Sequence, residues 1–163
     1  MNPLGLSSGQ NEFRLASIFS DHMVLQRMGR DNSTVPTLWG YGETNTIVIA
    51  KVSNVGNEIS TTVGDDGKWM IEIHEPDLVG SGYSIQLSNS NQDGLETGSV
   101  NLNDVAFGDV WLCSGQSNME WRVKGVRNAV VEMETATLYE DVRLLKIVLG
   151  KWQWILLMNL LDY

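Results

Sequence analysis

Apolar and polar positions along the first hundred residues recur in short runs, the pattern of strands rather than helices. Met23-Val24-Leu25-Gln26-Arg27 is a brief apolar run, and residues 46–52 are rich in β-branched side chains. Residues 59–63 form another strand candidate. In residues 68–74 apolar and polar positions alternate, which puts Trp69, Ile71 and Ile73 on one face. Gly64-Asp65-Asp66-Gly67 between those two segments is a hairpin turn signal. Residues 83–87 alternate again, and a polar loop over 88–94 closes with Asp93-Gly94. Short strands at this spacing, separated by Gly and Asn turns, predict an antiparallel β-sandwich. No internal repeat is evident.

The character changes near Leu102. Residues 105–113 form a nearly unbroken apolar strand, as in a sheet covered on both faces. Over 118–137 the pattern turns helical: Val123, Val126, Val130, Met133 and Thr137 recur at steps of three and four. Residues 143–148 read as a second buried strand. Strand, helix, strand is a βαβ unit. The expected fold is therefore an α+β two-part chain, an N-terminal antiparallel β-sandwich followed by the first βαβ unit of an incomplete α/β/α domain. The boundaries fall at 1–12 for a polar extension, 13–102 for the sandwich, 103–148 for the α/β start and 149–163 for an apolar tail. That tail is too short for a membrane span, which needs about 20 apolar residues. Exposed, it would be an aggregation liability.

The chemistry concentrates in Gly115-Gln116-Ser117-Asn118-Met119, where the long strand turns toward the helix. A serine at such a turn sits on a rigid strand end, next to free N–H groups that suit a developing oxyanion. Ser117-Asn118-Met119-Glu120 also fits a capping box, with Ser117 as N-cap. Both roles stay open and can coexist. Gln116 and Asn118 flank the serine and either shape the turn or contact the substrate. No histidine follows Ser117; the two in the chain are His22 and His74. His74 alternates with core positions and is expected to face solvent. The lone Cys113 lies inside the apolar run and reads as a small buried hydrophobe. Asp65 and Asp66 belong to a turn, no metal-ligand spacing is visible, and no glycine-rich phosphate loop is present.

Three stretches carry a resemblance to a known family. Residues 108–121, reading GDVWLCSGQSNMEW, resemble the nucleophile segment of the sialate O-acetylesterases, serine esterases of the SGNH-hydrolase superfamily. Residues 13–27 (FRLASIFSDHMVLQR) and Asp65-Asp66-Gly67-Lys68-Trp69 are similar to the same family, in the right order. The resemblance spans residues 13–147. It implies Ser117 as nucleophile and as one oxyanion donor, no cofactor, and an O-acetylated sialic acid or other acetylated sugar as substrate. In that superfamily a later glycine and asparagine complete the oxyanion hole, and a late aspartate and histidine complete the triad. This sequence holds no matching segments, so a truncated, weakly active or inactive form is expected. The tail has no counterpart in the family and reads as an alternative ending.

Composition narrows the partners. A hydrophobic share of 42% excludes disorder throughout. A net charge of −9 argues against nucleic acid or an anionic membrane. An anionic sugar needs only a local basic group, which Arg122, Lys124 and Arg127 could supply; on a helix they would otherwise form a solvated face. With one cysteine no intrachain disulfide can form. The first ten residues lack the apolar stretch of a signal peptide, whereas the resemblance suggests a lysosomal or secreted protein. Asn32-Ser33-Thr34 matches a glycosylation sequon. Trp39 and Trp69 fall in strand contexts and are expected in the core, with sugar stacking as the other role. Two further readings stand beside the esterase: a non-catalytic sandwich module binding carbohydrate or protein, and an acetylesterase of another SGNH family acting on acetylated polysaccharide. Oligomeric state is left open.

Overall fold

The computed structural model describes residues 12–31, 33–113, 115, 121–139, 141–149 and 152–159, the last segment and 146–149 by their backbone. Its strands are β1 (Arg14–Leu15), β2 (Val24–Gln26), β3 (Thr37–Tyr41), β4 (Ile47–Val52), β5 (Glu58–Thr62), β6 (Lys68–Glu72), β7 (Gly80–Ser90), β8 (Glu96–Cys113), β9 (Arg143–Leu149) and β10 (Trp152–Asn159). One helix, α1 (Ala129–Ala136), lies between β8 and β9. A three-stranded sheet has the order β1-β3-β6. A seven-stranded sheet has the order β5-β4-β7-β8-β10-β9, with β2 also paired to β8.

Both sheets feed one buried cluster. Leu38, Trp69 and Ile71 come from the small sheet; Val48, Ala50, Ile85, Leu87, Leu102, Val105 and Phe107 come from the large one. The alternation around Trp69 is realised, since Trp69, Ile71 and Ile73 are buried and Met70 is exposed. The Trp69 indole donates to the Tyr41 carbonyl at 3.1 Å and stacks on Phe13 at 5.7 Å. Two polar residues, Thr46 and Asn89, are buried beside this core. Asn89 donates to Thr46 Oγ1 at 2.8 Å and accepts from Thr97 Oγ1 at 2.7 Å, so its burial leaves no bond unmade.

Three expectations need correction. The turn at Gly64-Asp65-Asp66-Gly67 forms, with Gly64 N–H donating to the Lys68 carbonyl at 2.8 Å. Yet the strands it joins, β5 and β6, belong to different sheets, so it is a crossing between sheets rather than a hairpin. Trp39 is 40% exposed, set edge-on against Phe19 at 4.5 Å rather than in the core. The helix expected over 118–137 is confined to α1, preceded by a 3-10 turn at Val123–Gly125. Gly125 and Asn128, the latter left-handed at φ 62°, interrupt the helical run. No residue of α1 is buried; Val130 and Met133, on the expected apolar stripe, are both exposed.

The strand–helix–strand order expected from the sequence is present in β8, α1 and β9. Strands β8 and β9 each pair antiparallel with β10 and so run parallel to one another, as a helical crossover requires. They are not neighbours, because β10 lies between them. The tail thus continues the sheet. The end of β8 is also less covered than its composition implies: Phe107 is fully buried, while Trp111 is 59% and Leu112 62% exposed.

Candidate functional site

Strand β8 delivers the serine turn, and its last third is pinned before it leaves the core. Strand β2 runs parallel to it, pairing Val24 with Ala106 and Gln26 with Gly108. Just beyond, Arg27 grips Asp109 with two bonds, Nε to Oδ1 at 2.9 Å and Nη2 to Oδ2 at 3.1 Å. The Val110 N–H donates to Gln26 Oε1 at 2.9 Å. A bidentate arginine–carboxylate pair fixes orientation as well as distance. The pins are Gln26 and Arg27 on one side and Asp109 and Val110 on the other. Sequence reasoning assigned them no role, although they lie inside the two segments that carry the family resemblance. That co-occurrence was the available signal.

Strand β8 ends at Cys113, which is half-buried, and Gly115 beyond it is exposed. Gln116, Ser117 and Asn118 lie outside the described residues. The chain is described again from Trp121, and every residue from there to Asn128 is exposed.

Neither histidine is free beside the serine turn. His74 faces solvent, as expected, and its Nε2 lies 3.1 Å from Glu72 Oε2. His22 Nδ1 lies 2.7 Å from Asp104 Oδ2, an aspartate–histidine pair of the kind that orients a catalytic base. Its place argues against that role toward Ser117. Asp104 and Cys113 are nine positions apart on one continuous strand, roughly 30 Å at about 3.3 Å per residue. The four residues from Cys113 to Ser117 reach back at most about 14 Å.

The pair belongs to a different assembly, which sequence spacing did not reveal. Asn103 and Asp104 form a bulge in β8 opposite Ser84, since Leu102 pairs with Ile85 and Val105 with Tyr83. Arg143, the first residue of β9, donates to the Met23 carbonyl at 3.2 Å and to Asp104 Oδ1 at 3.1 Å, and also to the Asp104 carbonyl. Asp21 Oδ1 accepts from the Asn103 N–H at 2.7 Å. The His22 hydrogen bond, followed by the bond and charge of Arg143, holds the Asp104 carboxyl below its usual range against partial desolvation. This is a clasp joining the 21–23 loop, the bulge and the start of β9.

An apolar recess of about 240 Å³ opens between the sheets' margins, lined by Phe19, Met23, Trp39, Val110 and Leu145 among others. Among the described residues no group of three or more His, Cys, Asp or Glu is placed to hold a metal ion. Among them, too, no helix is long and apolar enough to cross a membrane.

Comparisons with known proteins point one way. No protein-family model matches the chain. The sialate O-acetylesterase of Rattus norvegicus is 32% identical over 143 residues, covering 84% of this chain and 25% of the relative. That of Homo sapiens is 30% identical over 139 residues, covering 83% and 25%. A solved structure of a carbohydrate acetylesterase from Xanthomonas citri superposes with a TM-score of 0.59 at 23% identity, over 75% of this chain and 25% of that one, a likeness of fold. A match over 84% of 163 residues leaves only about 26 outside it, so it necessarily spans residues 108–121. The chain spans about a quarter of the length of the curated relatives it matches. Over most of its own length, then, it is a homologue of one quarter of the sialate O-acetylesterases.

Proposed function

We propose that this chain carries the nucleophile segment of an acetylesterase acting on acetylated carbohydrate, with O-acetylated sialic acid as the first substrate class. The observation that carries the reading is the match to sialate O-acetylesterases across residues 108–121. In this reading Ser117 Oγ attacks the acetyl carbonyl while a base takes its proton. The Ser117 N–H stabilises the oxyanion, and the sugar hydroxyl leaves with the proton. Water then releases acetate from the acetyl-serine and restores the hydroxyl. Gln116 and Asn118 shape the turn or contact the acyl or sugar group. The pins at Arg27–Asp109 and Gln26–Val110 hold the strand that presents it.

The base is not within the described geometry, since His22 is too far back along β8 and His74 is tied to Glu72. A polypeptide limited to these 163 residues is therefore expected to turn over poorly; loss of triad partners typically costs up to roughly a million-fold. Two assays test the reading on purified protein. Hydrolysis of a small acetyl ester is expected to match that of Ser117→Ala. A serine-directed fluorophosphonate, supplied with a high concentration of imidazole as an external base, is expected to label Ser117 slowly and spare Ser117→Ala. Labelling at other serines alone would overturn the assignment.

A second reading has one observation in its favour. The half-exposed Trp39 ring in the apolar recess offers a stacking face to a sugar. As a carbohydrate-binding module the protein would bind acetylated oligosaccharide equally well with Ser117→Ala, and lose binding with Trp39→Ala.

A further inference from the structure

Strands β8 and β9 run parallel and are joined through α1, the connectivity in which two strands ordinarily lie side by side under their helix. Here β10 holds them apart. It pairs with β8 from Ile155–Cys113 to Asn159–Asp109, and with β9 from Trp152–Leu149 to Met158–Arg143. The two ladders are in phase. Trp111 and Leu144 both lie opposite Leu157, Leu112 and Leu145 opposite Leu156, and Cys113 and Lys146 opposite Ile155. Withdrawal of β10 would therefore let β9 meet β8 in parallel register. The move is a sideways shift of one strand spacing, about 4.8 Å, in which every residue keeps its face. The surroundings suit such a move. Trp111, Leu112 and Leu144 are exposed at the end of β8 and the start of β9, and Val130, Val131 and Met133 are exposed on α1. Residues 137–142 join α1 to β9 and reach up to about 20 Å when extended. The Arg143 side chain ties the start of β9 to Asp104 of β8 without using β10.

We propose that β10 is a displaceable strand and that the chain has two sheet orders. In one, β8-β10-β9, α1 and the end of β8 stay bare. In the other, β8-β9, α1 packs onto the joined pair and covers apolar side chains that are now exposed. The first order is favoured in the free chain, because β10 satisfies an edge of each neighbour and its departure exchanges two ladders for one. Capture of β10 by another partner would tip the balance toward the second. The device acts on the strand end that leads to Gly115, whatever chemistry follows it, and so goes beyond the esterase reading.

The single cysteine supplies the probe. Across β10 the backbones of Cys113 and Lys146 are two strand spacings apart, about 9.6 Å. A disulfide needs Cα atoms within about 7 Å, a condition met only in the second order. The full chain carrying Lys146→Cys is treated with a mild oxidant and its cross-links are mapped by mass spectrometry. The control is Leu145→Cys, one residue along and on the other face. An intrachain disulfide from Cys113 to the introduced thiol is expected to form slowly with Lys146→Cys. It should form at least about ten-fold faster when Ile155→Pro and Leu156→Pro remove ladder donors from β10. Hydrogen exchange on the bridged protein should then show α1 protected and residues 152–159 released. No bridge, a bridge no faster with the prolines, a bridge as ready from position 145, or one formed only between chains would each overturn the proposal. The core around Trp69 does not include β10, so the proline variant is expected to keep it, as thermal unfolding would verify. If that core is lost, Lys146→Cys alone decides: a bridge with 152–159 released supports the proposal, and a bridge with 152–159 still protected overturns it.

Discussion

Asp104 shows how much one residue can join. Its backbone is left-handed at φ 50°, as is that of His22 at φ 60°, and both sit where the bulge meets the 21–23 loop. Positive φ is costly for non-glycine side chains and persists where surrounding bonds over-determine it. Its carboxyl titrates lower in the folded protein than in the unfolded chain, where the value is about 3.9. The clasp therefore contributes stability in full above that value and loses it as pH falls through the depressed folded value. In acid titrations followed by circular dichroism, Asp104→Asn is expected to be less stable at neutral pH and to show a shallower loss below about pH 4. A profile parallel to wild type would rule the clasp out as an acid-sensitive contact. Asn89→Ala should cost about 1–3 kcal/mol in denaturant unfolding, since it strands hydrogen-bonding capacity in a dry core. Neither residue was legible in the sequence. His22 and Asp104 are 82 positions apart, and an asparagine within a polar run gives no sign that it turns inward. Trp69 was legible, because strict alternation leaves only one face to bury. Trp39 was not: it pairs with Met70 on the outer side of the same strand pair, a register that only the topology supplies.

At the scale of elements, the strands were readable and their partners were not. The segments 46–52, 68–74 and 83–87 correspond to β4, β6 and part of β7, as β-branched content and alternation implied. Whether a tight turn makes a hairpin or a crossing between sheets depends on which edge is free, and the four turn residues do not encode that. Strand β3 carries a constraint that sequence alone conceals. A Cβ at Gly40 would sit 2.2 Å from the Arg14 carbonyl and 2.5 Å from Trp69 Cζ2, against the backbone of β1 and the core indole together. Gly40→Ala is therefore expected to destabilise by about 2–3 kcal/mol, the scale of overpacking, and to blue-shift or quench Trp69 fluorescence. Unchanged thermal unfolding would show that β1 can move away freely. The helical expectation failed for a different reason. Valines at steps of three and four describe a stripe, but Gly125 and Asn128 break the backbone before the stripe can form, and nothing among the described residues covers it.

For the whole molecule, the family resemblance was legible because the serine segment is short and distinctive, and the strand–helix–strand order was legible from the change in periodicity near Leu102. The insertion of β10 between β8 and β9, which nothing in the sequence signalled, leaves the parallel sense of that pair unchanged. The match covers about a quarter of each relative's length. Net charge of −9 sets the long-range field, and the cations after the serine turn oppose it locally.

Strand β8 crosses all three scales, running without a break from the polar loop after β7, through fully buried Val105, Ala106 and Phe107, to exposed Trp111 and Leu112. One backbone is thus anchored in the buried core and emerges where its side chains are exposed. Amide hydrogen exchange should be graded along it, slowest at 105–107 and fastest at 111–113, where opening needs no global unfolding. Loosening Arg27 from Asp109 should move the boundary between slow and fast exchange toward the core.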